Sequence, residues 1–89
     1  MKKNIFKDQS GNIHFGISAP AGFQAGTPED VAGILNNLGG RKFWRCSVCN
    51  DLSINIEPPL DCPTCHAKNA YIEIELSELK KLLELLNRK

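Results

Sequence analysis

Four cysteines constrain this chain more than anything else in it. They fall in two pairs, Cys46-x2-Cys49 and Cys62-x2-Cys65, with 12 residues between the pairs, inside an 89-residue sequence. Two oxidised pairs would give two disulfides, but residues 1–12 do not read as an export signal, a cytosolic setting is expected, and cytosolic thiols stay reduced. A redox dithiol of this spacing would open a helix in a βαβ unit. Pro63 within the second pair and Pro58-Pro59 upstream of it speak against helix starts here. Four thiolates converging on one tetrahedral ion fit both the spacing and its context.

Coordination also answers a problem of size. The segment 43–71 is too short and too poor in large apolar residues to close a core by itself. Binding at a four-cysteine site supplies folding energy on the order of 10 kcal/mol. The expectation is therefore that this segment loses its fold without metal. The rest of the composition is that of one ordinary globular domain, 42% hydrophobic and 24% charged. A net charge of +1 disfavours a dedicated nucleic-acid coat. No apolar run reaches the roughly 20 residues a membrane span needs. Met1 to Phe6 lead straight into the polar run Lys7 to Asn12 rather than into an apolar stretch, so a cytoplasmic location is expected.

Three segments differ in pattern: 1–42, 43–76 and 77–89. In the first, Ile5-Phe6 and the alternating Ile13, Phe15 and Ile17 flank Gln9-Ser10-Gly11-Asn12, which reads as a β-hairpin. A loop from Ser18 to Gly26 follows, whose Phe23 would tuck back onto the hairpin. Thr27-Pro28-Glu29-Asp30 starts a helix, with Thr27 as cap and acids at its positive end. Val31, Ile34, Leu35 and Leu38 form its apolar face, and Asn36-Asn37 with Gly39-Gly40 stop it. In the second segment, strands are expected over Arg41–Arg45, Ser53–Ile56 and Tyr71–Leu76, the last with one wet face. In the third, Leu76, Leu79, Leu83 and Leu86 make a helical stripe that Leu82 and Leu85 widen.

A CxxC knuckle turns tightly enough for two sulfurs to reach one ion while nearby backbone amides point at them. The residue after each pair often takes positive φ, where Gly is favoured. Asn50 and His66 stand there, and both residue types tolerate that conformation better than most.

Residues 43–71 resemble the rubredoxin-like C-terminal domain of rubrerythrins. The resemblance rests on Trp44 two residues before the first cysteine, the 12-residue spacer, Glu57-Pro58-Pro59 within it, Cys62-Pro63-x-Cys65, and Lys68 followed by Tyr71. It implies a rubredoxin-type iron site with Cys46, Cys49, Cys62 and Cys65 as ligands, Trp44 and Tyr71 packed around them, and one-electron transfer to a redox enzyme or complex subunit. Two features depart from the family pattern. Gly is missing after both pairs, and Asp51 stands where an aromatic residue is usual. A four-helix di-iron half like that of a rubrerythrin is not expected in residues 1–42, which hold one Glu and one His.

Four thiolates suit iron and zinc alike. The spacer favours iron, whereas the missing glycines and near-neutral charge favour a structural zinc; the balance tips to one Fe over one Zn. The fold expected is α+β: a small rubredoxin- or zinc-ribbon-like knuckle domain with an N-terminal β-hairpin plus helix and a C-terminal helix. The leading function is a one-electron carrier, the rival a structural zinc module that binds a protein or, less favoured, a nucleic acid through Phe43, Trp44 and the basic Arg41, Lys42 and Arg45. His66 is a possible substitute ligand, but four cysteines already complete the tetrahedron. His14 is expected at the surface or an edge. The leucine stripe is expected to cover the chain's own hairpin, with homodimerisation as the alternative. No catalytic set of residues is present, and an enzyme is not expected.

Overall fold

Alternation of apolar and polar residues lets one strand serve two interiors, and this chain uses its strands that way. In the computed structural model, which describes residues 4–86, six strands form one antiparallel sheet in the order β3-β1-β2-β5-β4-β6. The elements are β1 (Asn4–Lys7), β2 (Ile13–Gly16), β3 (Gln24–Ala25), α1 (Pro28–Asn36), β4 (Lys42–Cys46), β5 (Leu52–Asn55), β6 (Tyr71–Ile74) and α2 (Leu76–Leu86). The architecture is a small α+β domain, as the sequence implies. Residues 1–3 and 87–89 lie outside the description, as do the side chains of Leu85 and Leu86 in the leucine stripe.

Residues directly opposite in an antiparallel pair share a face. Ile13 pairs with Ile54, Ile54 with Phe43, and Phe43 with Ile74, which makes one apolar row across four strands. Phe15, Leu52, Arg45 and Ile72 make the next row. These residues and Leu79 of α2 form the main core, apart from Arg45 and Ile72; Val31, Ile34, Leu35 and Leu38 from α1 and the segment after it, and Leu82 and Leu83 of α2, pack against it. Both helices therefore cover the same face. α2 lies on its own chain's sheet, with Leu79 fully buried in the cluster that also holds Ile13 and Phe15 of the hairpin.

The row that Arg45 interrupts explains one departure from expectation. In the expected strand Tyr71–Leu76, Ile72, Ile74 and Leu76 alternate with acids as one dry face, but β6 ends at Ile74 and Leu76 begins α2. Ile74 is buried, but Ile72 and Leu76 are exposed. Arg45 sits between Leu52 and Ile72 in the row, and its guanidinium reaches Glu78 of α2 at 3.6 Å, so the apolar core stops there.

Local chemistry sets the turns. Asp8 Oδ1 accepts from the backbone N–H of Ser10 (3.0 Å) and of Asn12 (2.8 Å), closing the hairpin turn around Gly11 at φ 90°. Thr27 and Asp30 form a reciprocal capping box at the start of α1. The Thr27 backbone N–H donates to Asp30 Oδ2 at 2.8 Å, and this bond holds the Asp30 carboxyl below its usual range. Arg41 donates to Asn12 Oδ1 (2.9 Å), to the Leu38 carbonyl (2.8 Å) and to the Ser10 carbonyl. It pins the hairpin turn to the segment that follows α1. β3 is a strand within the stretch expected as a loop. Gln24 and Ala25 pair with Lys7 and Phe6, and both are exposed, so their side chains carry no burial pattern to read.

The sheet runs across the boundary between segments 1–42 and 43–76, because β2 pairs with β5. Among the described residues no helix is long and apolar enough to cross a membrane.

Candidate metal centre

The two CxxC pairs fold as two copies of one hydrogen-bonded turn. In the first, the Asn50 N–H donates to the Cys46 carbonyl (2.9 Å) and the Cys46 N–H to the Asp51 carbonyl (2.8 Å). In the second, the His66 N–H donates to the Cys62 carbonyl (2.8 Å) and the Cys62 N–H to the Ala67 carbonyl (3.0 Å). Asn50 and His66 take φ 66° and 63°, the left-handed turn the missing glycines called for. The knuckles are tied together where the Ser47 N–H donates to the Ala70 carbonyl at 2.8 Å.

The turns bring all four sulfurs into one place. The Sγ atoms of Cys46, Cys49, Cys62 and Cys65 lie within 4.8 Å of one another, and no disulfide joins them. Cys46 to Cys65 is 3.7 Å and Cys49 to Cys62 is 3.4 Å, each across the two knuckles. A tetrahedral ion with bonds of ~2.3 Å to sulfur needs sulfur–sulfur edges of about 3.8 Å. The donor set and its spacing fit one thiolate-bound ion.

Backbone N–H groups prepare the sulfurs for negative charge. The Ala67 amide pulls the Cys65 thiol below its usual range, first among the causes acting on it. Amides of Cys65 and Thr64 act in the same direction on Cys62, and that of Asp51 on Cys49. Burial outweighs them at Cys62 and Cys49 and pushes both thiols up. In the absence of an ion these two sulfurs keep their protons at neutral pH, and an incoming ion displaces them.

The first cysteine of each pair is buried and the second is half-buried. Trp44 and Tyr71 pack with Cys46 and Cys62, as the resemblance implies. The Trp44 ring nitrogen donates to the Asn55 carbonyl at 3.0 Å. The Tyr71 hydroxyl is buried, and that burial, with Cys62 beside it, keeps it protonated. Phe43 and Trp44 are both buried, on opposite faces of β4, and present no open pair of rings for bases to stack on. His66 is exposed and contributes no atom to the sulfur cluster.

His14 is the clear correction. It was expected at the surface or an edge, and its side chain is 1% exposed with Nε2 3.2 Å from Asp51 Oδ2. Strand parity explains the burial. His14 shares a row with Ser53 and Trp44 on the face opposite the apolar core, and the knuckles cover that face. Nothing in the sequence near His14 signals this, although Asp51 in an aromatic position was a visible irregularity.

No curated protein and no solved structure matches the chain. A family model does: residues 44–73, about a third of the sequence, match the rubredoxin-like domain of rubrerythrin, and the match takes in all four cysteines.

Proposed function

We propose that this metal-binding protein is a rubredoxin-type carrier that takes one electron onto a single iron ion and passes it to a larger redox protein. The observation that carries the reading is the closed four-sulfur cluster with two unequal sides. Cys46 and Cys62 are buried, while Cys49 and Cys65 reach towards solvent. Cys46, Cys49, Cys62 and Cys65 would complete the tetrahedron around an iron ion and leave no position for substrate, so a one-electron change there would need no change of ligands. The half-buried pair gives the electron a short way out. Val48, between the first two cysteines, and Leu60, just ahead of the third, are 64% and 73% exposed, as a transient partner surface requires. Amides directed at the sulfurs stabilise the thiolates through both oxidation states.

A second reading has its own support. Asp51 Oδ2 lies 3.7 Å from Cys62 Sγ in a fully buried position. A carboxylate there opposes the extra negative charge of a reduced iron site, and is easier to reconcile with zinc, whose charge never changes. In that reading the protein is a structural module, and its partner or second copy docks elsewhere on the chain, for example along α2.

Protein produced in iron-replete cells separates the two. The carrier reading expects bound iron and a visible thiolate-to-iron absorption that bleaches with a one-electron reductant and returns in air. Colourless protein holding zinc alone overturns it.

A further inference from the structure

The sheet face that carries the metal centre also holds a polar group that ligation by four cysteines does not require. Asp51 Oδ2 gathers contacts from three parts of the chain: His14 Nε2 on β2 at 3.2 Å, the Thr64 hydroxyl at 2.5 Å, and Cys62 Sγ at 3.7 Å. Thr64 belongs to the second knuckle, and its hydroxyl oxygen also accepts the Ser18 N–H at 3.4 Å. The backbone of Asp51 meanwhile closes the first knuckle, where its carbonyl takes the Cys46 N–H. One buried residue thus joins both knuckles and the N-terminal hairpin.

Space has been left for this contact. A Cβ on Gly16, two residues beyond His14 on the same face of β2, would stand 2.6 Å from His14 Nε2 and 2.8 Å from Asp51 Cγ. Only glycine allows the pair to sit where it does. The other ring nitrogen, His14 Nδ1, is buried with no hydrogen-bond partner among the described residues, so Nε2 makes the imidazole's polar contact. A buried carboxylate is costly unless donors satisfy it. Once Cys62 is bound as a thiolate it has no S–H to give, and Asp51 then depends on its other donors, His14 and Thr64 among them.

We infer that His14, acting through Asp51, is a positioning residue of the metal centre: it fixes the Asp51 carboxylate against Cys62 and Thr64 and so sets the place of the second knuckle. The N-terminal hairpin is then a part of the site, although it lies outside the matched residues 44–73. The inference holds whichever ion the site carries. Loss of such an outer partner of a metal ligand costs about 10–100-fold in affinity.

The test uses the full chain with Zn2+ and Co2+. Affinity is read by competition with a chelator, and geometry by the thiolate-to-cobalt and d–d absorption. His14→Ala and Asp51→Ala should each weaken binding about 10–100-fold and alter the cobalt spectrum. The double variant should be no weaker than the weaker single one, because both break one contact. His14→Gln, which restores an N–H donor, should recover most of the loss. Ser53→Ala, a neighbour in the same row whose hydroxyl bonds the Ile13 carbonyl instead, should leave affinity and spectrum unchanged. Wild-type affinity and spectrum in His14→Ala overturn the inference. So do losses that multiply in the double variant, or a glutamine variant as weak as the alanine one. If the alanine variant fails to fold, Thr64→Val removes another donor to the same oxygen from a half-buried loop, and unchanged affinity there overturns it equally.

Discussion

The two faces of the sheet are held by different physics. One face buries Ile13, Phe15, Phe43, Leu52, Ile54 and Ile74 against two helices. The other buries Trp44, Cys46, Cys62 and Tyr71 around four sulfurs, with His14, Asp51 and Ser53 alongside. The apolar face needs nothing but water to exclude. The sulfur face is thiol-rich and polar, and its stability depends on what its thiols bind. Strands β4 and β5 contribute alternate residues to both, so the metal module draws a hydrophobic core from outside its own segment. That revises how much the ion must do. Phe43, Leu52, Ile54 and Ile74 lie in segment 43–71 or just beyond it, yet pack on α1, α2 and the hairpin.

Removing the ion should separate the faces most sharply, since structural zinc is worth on the order of 10 kcal/mol. After chelation, hydrogen exchange should become fast at the knuckle amides of Asn50 and His66, while the β4–β5 ladder stays protected. Loss of protection throughout β4 and β5 would mean that the apolar face cannot stand alone. Cys62→Ser comes next. Loss of a ligand should exceed the roughly 100-fold ceiling for outer partners, with the far-ultraviolet spectrum preserved. Full occupancy in that variant would mean the ligand set is wrong.

Leu79→Ala attacks the other face. A fully buried leucine replaced by alanine costs about 2–5 kcal/mol. It should lower the melting temperature of the metal-free and metal-loaded forms alike and leave the cobalt spectrum untouched. The pH dependence of stability should differ in sign between the two forms. In the metal-free protein, burial raises the Cys49 and Cys62 thiols, so the unfolded chain ionises first. The contribution of these two thiols to stability is then full below roughly pH 8.5 and falls above it. In the loaded protein the ion holds thiolates that the unfolded chain would protonate, so stability falls as pH is lowered. Denaturant titrations from pH 5 to 10 with and without Zn2+ check both slopes. The smallest effect belongs to neither face: Thr27→Ala removes the α1 cap at a cost of about 1 kcal/mol by thermal melting, with metal affinity unchanged.

Much of this was legible because it is local. The knuckle hydrogen bonds span five residues or fewer, the positive φ at Asn50 and His66 follows from the CxxC turn, and Thr27-Pro28-Glu29-Asp30 carries its own capping box. Apolar alternation in Ile13 and Phe15 placed the hairpin on a core. What stayed hidden depends on register. β3 pairs through two exposed residues whose backbone, not side chains, does the work. Ile72 alternates with acids like a buried residue and is exposed because Arg45 stands between it and the apolar part of its row.

The sequence by itself determined where an ion is gripped, since two cysteines three positions apart can only turn back on themselves to share one. It did not determine what stands behind the grip. His14 and Asp51 lie 37 residues apart, and each alone looks like an ordinary polar residue. They meet only because β2 and β5 pair with His14 opposite Ser53. A slip of one residue in that pairing would turn the imidazole into the apolar core. That register is chosen by the burial of the apolar rows on the opposite face, and only the folded sheet contains that information.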